Sequence, residues 1–520
     1  MATGARPGIE AGTGPLSRLA RTFDRSTLRG HFALGRALPR IPDGWLRQSL
    51  DGWHLACAPD LPVLEVVDGS GVGTGWVLGH PLVPGQGPVE PPLRVPAAIA
   101  DPDFADAFER LLYFHAGQYA GVLLGPSPRV YVDAFGSLPV LYDPTLELVS
   151  SSPFLLTEDE DVPDSILFET LEMERIGRWF ILGTTAHARA ERLLPNHLLD
   201  LRSWAPRRHW PPSEIEPGNV DELVDQVADA IEGAVVAAAA RERPNVSITA
   251  GADSRCILAC SRAHLERLRY FTVAFSDGLG DTDVRGAPGV AALCDLDHRV
   301  LPWIPATQAD IDRFLYQTGW CIGELRGKRA GPTYAQLGGS GPYVCGVGSI
   351  ISKNWRKLRL TRDGRGHSPT DAGFLLRYFW FPELPELVER ADRWLEEAPR
   401  LDPFNVRLLY HLEMRYGCWG GALAMGYPEA CSYTLYPFGQ RVIADAVLRL
   451  PLDYRLAGTL RHDIVLRRWP ELHDLPVNRP TFRVATTRRL SRTSGLAAGA
   501  RRRLVRIGRR LLTRGRDTTS

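Results

Sequence analysis

Val246-Ser247-Ile248-Thr249-Ala250-Gly251-Ala252-Asp253-Ser254-Arg255 is the stretch on which the reading of this chain turns. A β-rich run over 246–249 stops at Ala250-Gly251-Ala252, and Asp253-Ser254 opens a helix through Cys256, Ile257, Leu258 and Ala259. A strand, a turn of small residues and a helix start are what a phosphate site needs. Small side chains let backbone N–H groups approach the anion, and the helix N-terminus adds a favourable dipole. A hydrogen bond to a charged oxygen contributes roughly 1.5–3 kcal/mol, so three or four make a nucleotide site. No Gly-Lys-Ser/Thr follows the turn, so this is not a Walker loop. An ordinary strand-to-helix turn is the plainer alternative.

The flanking sequence favours an α/β fold. Asn219 can cap a helix with Glu222 as reciprocal partner, and Leu223, Val227, Ile231 and Ala234 follow at helical spacing. Beyond the loop helix, 270–275 reads as a strand, 281–293 as a helix and 298–302 as a third strand. Such alternation with short connections predicts a doubly wound parallel sheet, whose ligands bind at the carboxyl ends of the strands. From Thr307 onward helices dominate, over 309–317, 372–379, 384–397, 405–416 and 440–450. Upstream, short β-type runs at 61–67, 75–79, 121–124, 129–133, 139–142 and 148–151 predict a mostly antiparallel β-rich region. Residues 1–43 are rich in Gly, Arg and Pro and read as a loosely ordered arm. The expected organisation is therefore 1–43 arm, 44–210 β-rich domain, 211–482 nucleotide domain and 483–520 arginine-rich tail.

Thr249-Ala250-Gly251-Ala252-Asp253-Ser254 resembles the pyrophosphatase loop Ser-Gly-Gly-x-Asp-Ser of the asparagine synthetase family, with Ala250 in place of the first glycine. The resemblance implies an ATP-pyrophosphatase (PP-loop) domain that grips the β,γ-phosphates of ATP and adenylates a carboxylate. Thr249, Gly251 and Ser254 would cradle pyrophosphate, with Ala250 and Arg255 beside them, and Asp253 would hold Mg²⁺. Thr272 would lie near the adenine. Asp283 would contact ribose or metal, unless it only complements its helix dipole. The segment 133–142, Asp-Ala-Phe-Gly-Ser-Leu-Pro-Val-Leu-Tyr, followed by Ser150-Ser151-Ser152, resembles the family's glutaminase (Ntn-type) domain. Residue 2 is alanine and the first cysteine is Cys57, so the N-terminal thiol of an amidotransferase is missing and glutamine hydrolysis is not expected. β-Lactam synthetases and lasso-peptide cyclases, members that lack this cysteine, use an amine already in the substrate. The likeness covers roughly 117–479 and also includes 192–201 and Tyr436-Pro437-Phe438. His197 reads as structural.

The departures from the family bear on catalysis. Where the second acidic loop Gly-Glu-Gly-x-Asp-Glu is expected, the chain reads Gly346-Val347-Gly348-Ser349-Ile350-Ile351. Aliphatic groups cannot ligate a hard cation. Gln440 replaces the aspartate of Pro-Phe-Leu-Asp. No lysine stands in for the family's catalytic one: Lys328, Lys353 and Lys357 are misplaced, and the C-terminal segment offers Arg461, Arg467, Arg468 and Arg483. An arginine stabilises transition-state charge but does not shuttle a proton.

Bulk properties set the remaining bounds. The chain has 520 residues, 44% of them hydrophobic and 23% charged, and a net charge of +1, which gives no global attraction to nucleic acid or membrane. The 8 cysteines are scattered without a Cys-x-x-Cys pair, as in a protein of reduced thiols, and no secretory or membrane-spanning run is present. A cytoplasmic protein that does not bind nucleic acid is expected. The tail, with a basic amphipathic run over 504–512, suits an anionic membrane or an acidic partner, with a solvated tail as the plainer alternative. Three functions stay open: a ligase joining an unknown carboxylate to free ammonia or an intramolecular amine in specialised (natural-product) biosynthesis, a nucleotide-binding or scaffold subunit without turnover, and a retained fold without nucleotide.

Overall fold

The structure, a computed structural model, describes residues 12, 14–173, 178–212, 214–275, 281–348 and 370–477. It is mixed α/β. Alternating apolar side chains build the N-terminal half as two mostly antiparallel sheets facing each other. Phe32 and Leu34 of Phe32–Gly35, with Trp53 and Leu55 of Trp53–Cys57, meet Trp76 and Leu78 of Gly73–Val83 and Val130 and Val132 of Arg129–Val132. The opposite face of the second sheet offers Val77, Tyr119 and Tyr131 to Phe104, Phe108 and Leu112 of the helix Phe104–Phe114. The period of 2 thus sends alternate residues of one strand into two separate cores.

The expected arm is a correction. Within 1–43, Pro15–Thr22 is a helix with Leu16 and Leu19 fully buried, and Phe32–Gly35 is an inner strand between Leu148–Ser150 and Trp53–Cys57. Its Gly- and Arg-rich composition hid a four-residue strand, one of whose two partners, Leu148–Ser150, lies far along the chain. Residues 1–11 and 13, like the tail from 478 onward, lie outside the described residues.

In the C-terminal half five parallel strands run in the order His298–Pro302, Arg269–Ala274, Asn245–Ser247, Tyr343–Val344, Thr434–Leu435. The chain enters at the centre, steps to one edge and then crosses to the other side, so Asn245–Ser247 and Tyr343–Val344 flank a topological switch point. The entering helix Val220–Ala238 is capped by Asn219, whose side chain accepts from the N–H groups of Asp221 and Glu222. It buries Leu223, Val227, Ile231 and Ala234.

The helix expected over 405–416 is instead Pro403–His411 followed by a π-helix, Leu412–Gly420. Glu413, with no exposed surface, accepts from Arg208, Asn196 and the Trp394 indole, and the Trp179 indole donates to the Met414 carbonyl. Among the described residues no helix is long and apolar enough to cross a membrane.

Candidate functional site

The quoted loop leaves the central parallel strand and enters the helix Ala252–Cys260 at the switch point. Its turn is stapled from within. The Thr249 and Ser254 hydroxyls lie 2.9 Å apart, and the Gly251 N–H donates to Thr249 Oγ1 at 3.0 Å. The Thr249 N–H donates to Ser254 Oγ, and the Ala250 N–H to Asp283 Oδ1 at 3.0 Å. Ala250 has negative φ, and its methyl fits because residue 286 is glycine: a Cβ there would sit 2.6 Å from that of Ala250. Gly251, the N-cap, supplies no side-chain acceptor, so the helix N-terminus is uncapped.

Facing this turn is the loop after Tyr343–Val344. Gly346 packs on Asp253 and Ser254, where a Cβ would lie 3.7 Å from the Asp253 Cβ. Gly348, with φ +150°, is required because any Cβ would overlap Phe438. Between the two loops lies a cavity of about 470 Å³. Thr249, Gly251, Asp253, Ser254 and Asp283 line it, with His411, Arg415, Tyr416 and Trp419 across from them. That volume lies within the usual range for small-ligand sites.

The structure brings together five of the eight residues expected at the site and parts them from three. Arg255 is turned away: its guanidinium is buried and donates to the carbonyls of Leu472, Leu475 and Pro476, tying the C-terminal segment to the loop helix. Ala250 is buried behind the turn, and its N–H is committed to Asp283. Thr272 is buried in its strand, donating to the Ile248 carbonyl at 2.7 Å and meeting His298 Nε2 at 2.8 Å. Asp283 lines the cavity, but one of its oxygens is already the latch for the loop. Three N–H groups read as free to approach an anion are therefore satisfied internally. What remains open is the helix N-terminus, because the two hydroxyls are spent on the staple: Ser254 Oγ also donates to the Thr249 and Gly251 carbonyls at 3.2 Å.

A divalent metal does not fit the donors present. Asp253 Oδ1 accepts from Arg461 Nη1 at 2.5 Å, with only 13% and 15% of the two side chains exposed. Arg461 comes from the helix Leu460–Arg468, which lies on the loop helix. The facing segment Cys345–Gly346–Val347–Gly348 contributes no carboxylate, and Ser349, Ile350 and Ile351 lie outside the described residues. Among the described residues no group of three or more His, Cys, Asp or Glu side chains is arranged to hold a metal ion. Mg²⁺ asks for near-octahedral oxygen ligation. Asp253, expected to hold Mg²⁺, has one carboxylate oxygen engaged by Arg461.

Sequence reading had named Arg461 only as one of several C-terminal arginines. It missed Arg415 and Trp419, whose i, i+4 spacing places a cation beside an indole on a helix. Gln440, at the position of the family's aspartate, is buried and donates to the carbonyls of Ala230 and Pro437. Lys328 pairs with Glu324 on the surface, while Lys353, Lys357 and Arg483 lie outside the described residues. All eight cysteines are buried and unbridged, and Cys57 lies inside its strand with burial pushing its thiol pKa up. His197 is buried, its Nδ1 3.0 Å from the Pro195 carbonyl. No protein-family model matches the chain, and no curated protein matches it.

Proposed function

We propose that the cavity between the two loops takes the polyphosphate of ATP, and that the chain is an ATP-dependent amide-forming ligase of the asparagine synthetase type. In that reading the parallel sheet is an ATP-pyrophosphatase domain and the N-terminal sheets are a glutaminase-like domain without its nucleophile. The observation that carries it is the uncapped helix N-terminus, held by a turn that the Thr249 and Ser254 hydroxyls staple, opening on a cavity at the switch point of a parallel sheet. A substrate carboxylate oxygen would attack the α-phosphorus, and the bond to the bridging oxygen would break as pyrophosphate leaves. An amine nitrogen would then attack the acyl carbon, expelling AMP and losing its proton to solvent. With no N-terminal thiol, the amine is ammonia or a group of the substrate itself.

One specific observation favours a second reading, nucleotide binding without turnover. Arg461 already neutralises Asp253, and the facing loop has lost its carboxylates. Both readings use the same nucleotide site and differ in its chemistry. Pyrophosphate release from ATP, screened against pairs of carboxylates and amines, separates them. Release that is lost in Ser254→Ala and Asp253→Ala supports the ligase. ATP binding without release for any pair supports the regulatory or scaffold subunit. Absence of ATP binding overturns both.

A further inference from the structure

Arg415 lies in the cavity wall opposite the loop, on the π-helix. Its guanidinium stacks on the Trp419 indole at 3.7 Å and stands 4.9 Å from that of Trp179. A second guanidinium, Arg326, sits 4.7 Å from the same Trp419 ring. Neither has a carboxylate partner among the described residues, and Arg415 donates to no protein acceptor there. Burial pushes Arg415 down to about 10, with the charge of Arg326 adding to the shift, and burial lowers Arg326 as well. Arg415 nonetheless stays cationic at neutral pH. Two like charges thus stand around one indole with no carboxylate counter-ion among the described residues, an arrangement that costs stability and is relieved by an anion. Strain of this kind, together with a π-helix, is typical of places where a ligand completes the structure.

We propose that the cavity binds the terminal phosphates of a nucleotide without a divalent cation, Arg415 and, behind Trp419, Arg326 supplying the positive charge. This rests on the polyphosphate reading above. Two observations meet here. On the loop side, Asp253 is held by Arg461, so the charge that would recruit a cation is already balanced. On the opposite side, a planar fork of N–H donors is fixed in orientation by two indoles and faces the same cavity. A guanidinium matches phosphate oxygens in pairs, and one immobilised before the ligand arrives loses little entropy on binding. A phosphate chain suits the site better than a lone carboxylate, because anion-binding groups stand on both walls. The seat of Arg415 is rigid: Glu413, two residues earlier, is pinned by Arg208 and Asn196 of the N-terminal half.

The test is calorimetric titration of the full chain with ATP, AMP and inorganic pyrophosphate, in excess EDTA and in Mg²⁺, with indole fluorescence as a second readout. ATP and pyrophosphate should bind in EDTA with affinities within about threefold of those in Mg²⁺. Arg415→Gln should weaken both by about tenfold or more, the size of a lost charged hydrogen bond, while AMP, which lacks the terminal phosphates, changes little. Arg326→Gln should weaken them less. ATP binding that appears only with Mg²⁺ overturns the metal-independent site and leaves the proposed function standing. The same holds if Arg415→Gln weakens AMP as much as ATP, since the arginine then supports the fold. Failure of both ATP and pyrophosphate to bind in either buffer overturns the function and the inference together.

Discussion

Two tight turns, after Arg129–Val132 and after Asn245–Ser247, differ in what they do with their polar groups. The turn after Arg129–Val132 is closed. Asp133 is fully buried and accepts from the N–H groups of Tyr119, Phe135, Ser137 and Leu138 and from the Ser137 hydroxyl. Its outer side is also occupied: Arg192 bridges the Gly136 and Gly417 carbonyls, and Phe135 stacks on Tyr416 at 5.2 Å. The turn Thr249–Ser254 is stapled as tightly but leaves a helix N-terminus open on a cavity. Motif resemblance reports turn geometry in both cases. Whether the turn receives a ligand depends on which donors the rest of the chain has already used. The N-terminal turn is a seat for the π-helix, so the N-terminal half shapes the opposite wall of the cavity.

That contrast can be broken by experiment. The largest effect should come from Glu413→Ala, which strands Arg208 at the junction of the two halves. Removing one partner of a buried pair costs about 3–5 kcal/mol, and chemical denaturation should show that loss together with weakened ATP binding. A stable Glu413→Ala protein with unchanged ATP affinity would refute the idea that the N-terminal half sets the site. Asp133→Ala should cost about 3 kcal/mol through several orphaned buried N–H groups. Ser254→Ala should change stability by much less and reduce nucleotide affinity instead. If the two substitutions behaved alike, the distinction between a closed and an open turn would fail.

Smaller effects sharpen the comparison. Gly286→Ala should cost about 1–3 kcal/mol by overpacking against Ala250, and Ala250→Gly in the same chain should restore both stability and ATP affinity. Additive losses in the double variant would show that the two residues do not meet. The mildest effect per group is that of pH. Burial lowers His31, His80 and His209 to about 4 and His187 to about 3. All four belong to the N-terminal half. Their folded values lie below the unfolded value near 6.5, so the unfolded state binds more protons between about 4 and 6.5. Their contribution is complete above that window and is lost as pH falls through it. Between pH 7 and 6 each should remove on the order of 0.7 kcal/mol, visible as a falling urea midpoint that His31→Gln flattens in part. A midpoint constant over that range would contradict the buried neutral state.

Local pattern made much of this chain legible. The loop, the Asn219 cap with its apolar helix face, the helix Asp281–Leu293 and the strand His298–Pro302 follow from signals a few residues long, and the structure places them within a residue or two of the expectation. Alternation of strand and helix was enough to predict a parallel sheet, because short connections between such elements admit few other topologies. The strand Phe32–Gly35 was not legible, since one of its two partners, Leu148–Ser150, lies more than a hundred residues away and its own composition is poor in β signals. The same reason hid the site's character. Asp253 reads as a metal ligand in its own motif and becomes an ion-paired carboxylate only because Arg461 folds onto it. Arg415 reads as one arginine among many and becomes a charge in a cavity wall without an acid partner among the described residues only because two indoles are folded against it. Sequence by itself determined where an anion-binding turn lies, through backbone geometry set by adjacent residues. Tertiary structure alone decided which charges stand around that turn, because electrostatic partners are chosen by distance in space.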